Sequence, residues 1–432
     1  MAAPEGGGPS FRLENLAAAS SPAGAGAPLR GGDLGRVLTV APAAIAVVDG
    51  RIAAVGAPAE VRAAHPDLEP VDGRGRVAIP GLIDCHTHPA FGGDRAIEFD
   101  LRAQGADYER IHASGGGIAA SVAATRQLDA AGLRAAVARH MGWMAAQGTT
   151  TAEGKSGYGL DRDTELRSLE AVAAVEAIET VPTWLGAHSV PPEFGDGDAY
   201  LDFALAEVLP EAAKVAEAAD VFLERGAFSA EQAERYLRAA AEHDLTLRLH
   251  GDQFTESGAI PLAVELGARS VDHLEATGAD GVDRLAASDV AAVLLPVAAL
   301  YLRRSMPPAR ALIDRGAIVV LATDFNPGSA YCDSLPVVMT LACTQLGMSA
   351  GEALSATTVN AAWVLGRADR LGRLAPGYDA DIVLLDAPDW RHVAYHLAGR
   401  DIAAVYKRGR LIRRGQTPNG RVTEVQRPTF GV

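Results

Sequence analysis

The sequence predicts an α/β fold: a (β/α)8 TIM-like barrel joined to a small β-sandwich formed by both chain termini. Three observations carry that expectation. From about residue 80, short apolar runs alternate with amphipathic helical stretches, the pattern of parallel α/β folds. Eight such runs fit into about 240 residues, the size of a (β/α)8 barrel. The two ends of the chain instead carry short apolar segments separated by Gly, Pro and Asp, which read as antiparallel strands.

At the N-terminal end the segments are Phe11–Leu16, Arg36–Val40, Ala43–Val48 and Arg51–Val55, with Asp49-Gly50 as a hairpin turn between the last two. Asp381–Leu385, Ile402–Lys407 and Leu411–Ile412 have the same character at the far end. The ends are therefore expected to fold together, residues 1–79 with 375–432, around an inserted domain of residues 80–374. The Ala/Gly/Pro-rich opening, Met1–Ser10, reads as a frayed tail, and Ala18–Pro28 as a flexible loop.

In the middle, the expected strands are Leu82–Cys85, Thr149–Glu153, Val181–Ala187, Asp220–Glu224, Leu245–Leu249, Ser270–Asp272, Val290–Leu295 and Ile318–Ala322. Helices are expected between them, over Ala131–Gln147, Thr164–Ile178, Ala230–His243, Ile260–Leu266, Ala279–Ala287 and Pro307–Arg315. A doubly wound open sheet would use the same elements. Polar residues just past the strands favour the barrel: His86 and His88, Glu153 and Lys155, His188, Glu224, His250, His273 and Asp324. A barrel gathers all of those C-terminal ends in one mouth, where the chemistry of this fold sits. An open sheet would spread them along a line.

Composition narrows the class of partner. The 432 residues carry a formal net charge of −15, which repels nucleic acid and anionic membrane surfaces. The three cysteines, Cys85, Cys332 and Cys343, form no disulfide framework and no CxxC pair. No basic-then-apolar leader opens the chain, and no apolar stretch reaches membrane-spanning length. A reducing, cytoplasmic setting is expected.

The chemistry centres on Pro80-Gly81-Leu82-Ile83-Asp84-Cys85-His86-Thr87-His88. Histidines two apart in an extended segment project to the same side, so both imidazoles can meet one metal ion, and imidazole suits zinc or iron. A lone His-x-His is common on surfaces. Here His250 and Asp324, each at the end of an expected strand, complete a three-His, one-Asp set that leaves a position open for water. Water on such an ion titrates near pH ~7. His273 lies one strand beyond His250 and reads as a fifth ligand, a structural histidine or an acid/base group; the last is favoured, because a proton must reach a leaving atom. Gln253 has no titratable proton and serves only to hydrogen-bond.

Three loops supply candidate binding groups. Arg95, in Phe91-Gly92-Gly93-Asp94-Arg95, suits bidentate capture of a carboxylate. Tyr158, in Lys155-Ser156-Gly157-Tyr158-Gly159, presents a hydroxyl. Asn326, Gly328 and Ser329 follow Asp324 and suit a polar, amide-like ligand, although Asn-Pro-Gly is equally natural as a plain turn. Gly154-Lys155-Ser156 is not a phosphate loop, because the required earlier glycine falls at Thr149. Ser114-Gly115-Gly116-Gly117 lacks the strand–turn–helix context of a dinucleotide site.

Taken together these motifs resemble the amidohydrolase superfamily and, within it, the imidazolonepropionase family. The resemblance spans residues 36–412. Besides the His-x-His segment it includes Phe91–Arg95, Ser114–Ile118, Lys155–Leu160, Leu185-Gly186-Ala187-His188 with Pro191-Pro192, Asp272–Glu275 and Asp324–Gly328. It implies a barrel of the metal-dependent hydrolase type and hydrolysis of a C–N bond of 4-imidazolone-5-propanoate, giving N-formimidoyl-L-glutamate in the third step of L-histidine degradation. It implies one zinc or iron held by His86, His88, His250 and Asp324, and a homodimer. Asp324 and His273 would handle protons. Arg95, Tyr158, His188, Gln253, Asn326, Gly328 and Ser329 would contact the substrate, Arg95 through its propionate. Ser329 stands where the family commonly has Thr and keeps the hydroxyl. Gln253 stands where Glu is frequent, so a carboxylate base at that position is not expected here. The alternatives are another mononuclear amidohydrolase, such as a nucleobase-type deaminase, and a non-catalytic scaffold relative.

Overall fold

The structure, a computed structural model, describes residues 8–24, 26–105 and 116–414. Residues 1–7 of the expected tail, residues 415–432 of the expected terminal domain, and Ser114 and Gly115 of the glycine-rich motif lie outside the described residues.

Eight parallel strands form one continuous sheet: β8 (Leu82–Asp84), β9 (Thr149–Lys155), β10 (Glu179–Ala187), β11 (Ala218–Leu223), β12 (Thr246–Gly251), β13 (Ser270–His273), β14 (Ala291–Leu294) and β15 (Ile318–Leu321), in sequence order. Strands such as Ala291-Ala-Val-Leu294 and Ile318-Val-Val-Leu321 are buried throughout. They read as unbroken apolar runs because helices and barrel interior cover both faces. Several helices are started by a capping side chain, among them Asp129, Asp161, Ser229 and Ser349. Ser229 and Gln232 form a capping box at the start of Ala230–Ala241, satisfying backbone N–H groups that lack a partner inside the helix. Ala233, Tyr236, Leu237 and Ala240 bury the inner stripe of that helix.

The barrel is drawn shut beyond its first and last strands. The Asp324 N–H donates to the His86 carbonyl (3.1 Å) and the His88 N–H to the Phe325 carbonyl (2.9 Å). One residue earlier, the Asp84 carboxylate accepts from Thr323 N (3.2 Å) and Oγ1 (2.6 Å). Burial lifts the Asp84 carboxyl to about 7. The closing contacts thus lie in the same residues that carry the candidate metal ligands.

The termini build two further sheets. One has the order β5 (Arg51–Gly56), β4 (Ala43–Val48), β1 (Phe11–Leu16), β6 (Pro70–Asp72). The other runs β18 (Arg410–Arg414), β17 (Ile402–Lys407), β16 (Ile382–Leu385), β7 (Val77–Pro80), β2 (Ala18–Pro22), β3 (Val37–Val40). Leu13, Ile45, Val47, Ile382, Leu384 and Tyr406 meet in a core of their own, as the faces of a sandwich do. Strand β2 corrects the first part of the expected Ala18–Pro28 loop, while the described residues from Ala23 to Pro28 form no strand or helix. It pairs parallel with β7 and antiparallel with β3, and its Ala19 and Ser20 are buried. Small side chains fill that position, so no apolar alternation marked it.

Glu179, at the start of β10, ties the barrel to the terminal sheets. Its carboxylate meets Lys407 Nζ (3.1 Å), Arg367 Nε (3.1 Å) and Arg370 Nη1 (3.1 Å). Burial opposes its charge, but Arg370 and Lys407 outweigh that and hold it well below the usual carboxylate range.

Candidate active site

Strand β8 ends at Asp84, so His86 and His88 stand beyond the ladder and not on a strand face. The segment nevertheless stays extended, because Thr87 bridges to Phe325 and Lys155 N donates to the Thr87 carbonyl (3.0 Å). Both imidazoles therefore turn to the same side, as the two-residue spacing requires. His250, on β12, and Asp324, after β15, reach them across the barrel.

The four donor atoms converge. His86 Nε2 and His88 Nε2 are 3.3 Å apart, and His88 Nε2 and His250 Nε2 3.4 Å. Asp324 Oδ1 lies 3.4 Å from His86 Nε2 and 3.3 Å from His88 Nε2. All four side chains are buried. Donors bound to zinc at about 2.0–2.1 Å in a tetrahedron sit about 3.3–3.4 Å from one another. The donor set and its spacing fit a divalent ion.

Electrostatics support the same fit. Within this buried region Glu153 and Asp220 pair with the cations Lys155 and Arg248, while the carboxylates of Asp272 and Asp324 lie against imidazoles. Lys155 Nζ sits 2.6 Å from Asp220 Oδ2 and 2.8 Å from Glu153 Oε2; Arg248 Nη1 is 2.6 Å from Glu153 Oε1. A buried charge without a counter-charge is strongly unfavourable. Burial opposes the charge on Asp324, but hydrogen bonds to His86 and His88 hold its carboxyl well below the ordinary range. Burial and Lys155 oppose protonation of His86, while Asp272 and Asp324 outweigh them and lift it to about 9. A proton and a metal ion therefore compete for this imidazole.

Two carboxylates fix the imidazoles from behind. His86 Nδ1 lies 2.6 Å from Asp272 Oδ2 and His250 Nδ1 3.1 Å from Asp220 Oδ1. Each Nδ1–H donates to its carboxylate, which leaves the Nε2 lone pair facing the centre. Asp220 and Asp272 are not among the site residues the sequence points to, yet the sequence carries a signal for them. A lone carboxylate inside an apolar strand needs a buried partner. His273 sits next to this group, its ring centroid 5.4 Å from that of His250 and 5.8 Å from that of His86. Its backbone is left-handed (φ 90°), as is that of Asp324 (φ 55°). Such conformations persist in non-glycine residues where the surroundings enforce them.

The expected binding groups are placed as follows. Tyr158 is buried, and burial raises its phenol well above the ordinary value. Its ring meets His188 edge-on at 5.2 Å. His188 stacks on His88 with centroids 5.5 Å apart and donates from Nδ1 to the Gly157 carbonyl (2.8 Å). Burial and the neighbouring His88 push its imidazole down to about 3, so it is neutral with Nε2 as an acceptor. Gln253 is buried just past β12.

Two groups are more engaged than expected. The sequence expects Arg95 to offer its fork to a carboxylate. Its Nε and Nη2 instead donate to Glu98 (2.7 and 2.6 Å), one helical turn on, leaving Nη1 against Gly328. Asn326 was read as facing a ligand. Its Oδ1 accepts from Gly328 N (2.8 Å) and Ser329 N (2.7 Å), and its Nδ2 donates to the Asp324 carbonyl (2.6 Å). It orders the loop, and Ser329 Oγ from that loop reaches Asp324 Oδ2 at 3.3 Å. Glu224, just past β11, is also engaged. Both its oxygens are taken by Thr255, Arg225 N and Phe254 N.

The sequence model of the amidohydrolase family matches residues 77–412, and that of the bacterial imidazolonepropionase-like composite domain matches residues 43–67. An imidazolonepropionase of Rubrobacter xylanophilus is 60% identical over 411 residues, covering 94% of this chain and 99% of that protein. This chain belongs to the imidazolonepropionase family of amidohydrolases. An imidazolonepropionase of Chloroflexus aggregans is 46% identical over 385 residues, covering 85% and 90%. Among solved structures, guanine deaminase of E. coli superposes with a TM-score of 0.69 over 94% of this chain and 99% of that one, at 15% identity. A triazine hydrolase variant gives 0.69 over 95% and 96%, at 20% identity. At these identities the likeness is one of fold.

Proposed function

We propose that this chain hydrolyses 4-imidazolone-5-propanoate to N-formimidoyl-L-glutamate, the third step of L-histidine degradation. The observation that carries the reading is the 60% identity with an imidazolonepropionase over 94% of the chain. The converging His86, His88 and His250 imidazoles support it. With Asp324 they would hold one zinc or iron ion. An ion bound there lowers the pKa of water towards about 7 and polarises a carbonyl oxygen.

The remaining steps belong to the protein. Water oxygen bonds to the ring carbonyl carbon, the carbon–nitrogen bond breaks, and the departing ring nitrogen takes a proton. Asp324, held by Ser329 Oγ, accepts the proton of the attacking water. His273, beside His86 and Asp324, carries it to the nitrogen. Tyr158, kept protonated by burial, donates to the ring, and neutral His188 accepts from it. Gln253 and the Gly328–Ser329 backbone line the ring, while Arg95 Nη1 meets the propionate. Residues 80–374 act as the catalytic domain, and 1–79 with 375–432 as its sandwich support. The working form is a cytoplasmic homodimer.

The test is turnover of the imidazolone, followed as loss of its ultraviolet absorbance, with guanine and cytosine as controls. Hydrolysis of the imidazolone alone supports the reading. Deamination of either base with no imidazolone turnover rejects it.

A further inference from the structure

Lys155 is a buried ionic side chain that takes no part in the proposed steps. Lys155 closes β9, its side chain is fully buried, and it sits at the centre of a charged chain that crosses the barrel. Arg248 Nη1 binds Glu153 Oε1 at 2.6 Å, and Thr183 Oγ1 donates to the same oxygen at 2.6 Å. Lys155 Nζ then meets Glu153 Oε2 at 2.8 Å and Asp220 Oδ2 at 2.6 Å. His250 Nδ1 straddles the same carboxylate, 3.1 Å from both Asp220 Oδ1 and Oδ2.

We infer that Lys155 is a positioning residue for the metal site, holding Asp220 so that its carboxylate orients His250. The inference rests on the metal-site reading of the preceding section. The geometry supplies the reason. Asp220 stands on β11 and His250 on β12, in adjacent strands, and a carboxylate free to turn would not keep its two oxygens facing Nδ1. An ammonium on Oδ2 removes that freedom and supplies the counter-charge the buried carboxylate needs. Partners of this kind keep the imidazole tautomer and its basicity, and their loss weakens metal binding about 10- to 100-fold.

A double-mutant cycle tests the inference through zinc affinity, measured on ion-stripped protein by competition with a chelator. The proteins are wild type, Lys155→Met, Asp220→Asn and the double variant. Each single substitution is expected to weaken zinc binding about 10- to 100-fold, and the double variant to bind no more weakly than Asp220→Asn alone. Wild-type zinc affinity in Lys155→Met, or effects that multiply in the double variant, would overturn it. A fall in urea midpoint with zinc affinity intact would assign Lys155 a purely structural role, and also overturns it. If Lys155→Met does not fold, Lys155→Gln takes its place in the cycle. A wild-type protein that binds no zinc or iron would instead defeat the metal-site reading itself.

Discussion

Arg95 and Gly328 compete for one volume: a methyl group on Gly328 would lie 2.0 Å from Arg95 Nη1. The guanidinium can rest there because residue 328 has no side chain. Arg102 Nη2 donates to the Gly328 carbonyl at 2.6 Å. The loop after β15 and the helix Ala96–Ala103 therefore meet at a glycine, with two arginines and one buried glutamate, Glu98, around it. That leaves a positive surplus where the propionate is proposed to bind.

Gly328→Ala should displace Arg95 without touching the imidazole cluster. The expected result is a raised KM for the imidazolone with kcat changed much less. Steady-state kinetics read this directly, and an unchanged KM would place the carboxylate elsewhere.

Arg95→Ala should act in the same direction and more strongly. Losing a hydrogen bond to a charged group costs about 1.5–3 kcal/mol, so KM should rise about 10- to 100-fold. Arg95→Lys should recover little, because an ammonium lacks the fork that Glu98 holds.

Asp324→Asn tests the proton step. The amide keeps the size of the carboxylate but cannot accept a proton, so kcat should fall about 10²- to 10⁴-fold. Substrate affinity, measured by equilibrium binding, should change far less. Turnover near the wild-type rate would reject the role.

Glu179 sets an acid limit on stability. Its folded pKa lies below the unfolded value of 4.5, so its contribution is fully present above about pH 4.5 and is lost as pH falls towards the folded value. Glu179→Gln should lower the urea midpoint at pH 7, and its difference from wild type should shrink below about pH 4.5. A pH-independent difference would show that the ion cluster with Arg370 and Lys407 contributes nothing.

Much of the fold is legible in sequence because parallel barrel strands are buried on both faces and read as apolar runs. Strand β2 is not, since Ala18, Ala19, Ser20 and Ser21 carry no apolar period. The converging donors could be anticipated from residue type and strand end. What fixes them could not: His86 finds Asp272 across 186 residues and His250 finds Asp220 across 30, and no local spacing encodes such pairs. Arg95 with Glu98 is different. The pair lies at i, i+3 on a helix start, where such partners meet, so the engagement of Arg95 could have been read in advance.

The most direct measurement is imidazolone turnover by purified protein whose zinc and iron content has been determined. The account predicts about one divalent ion per chain, hydrolysis to N-formimidoyl-L-glutamate, loss of turnover on chelation and its return on adding the ion back. Full turnover by metal-free protein, or no turnover by protein carrying its ion, would contradict it.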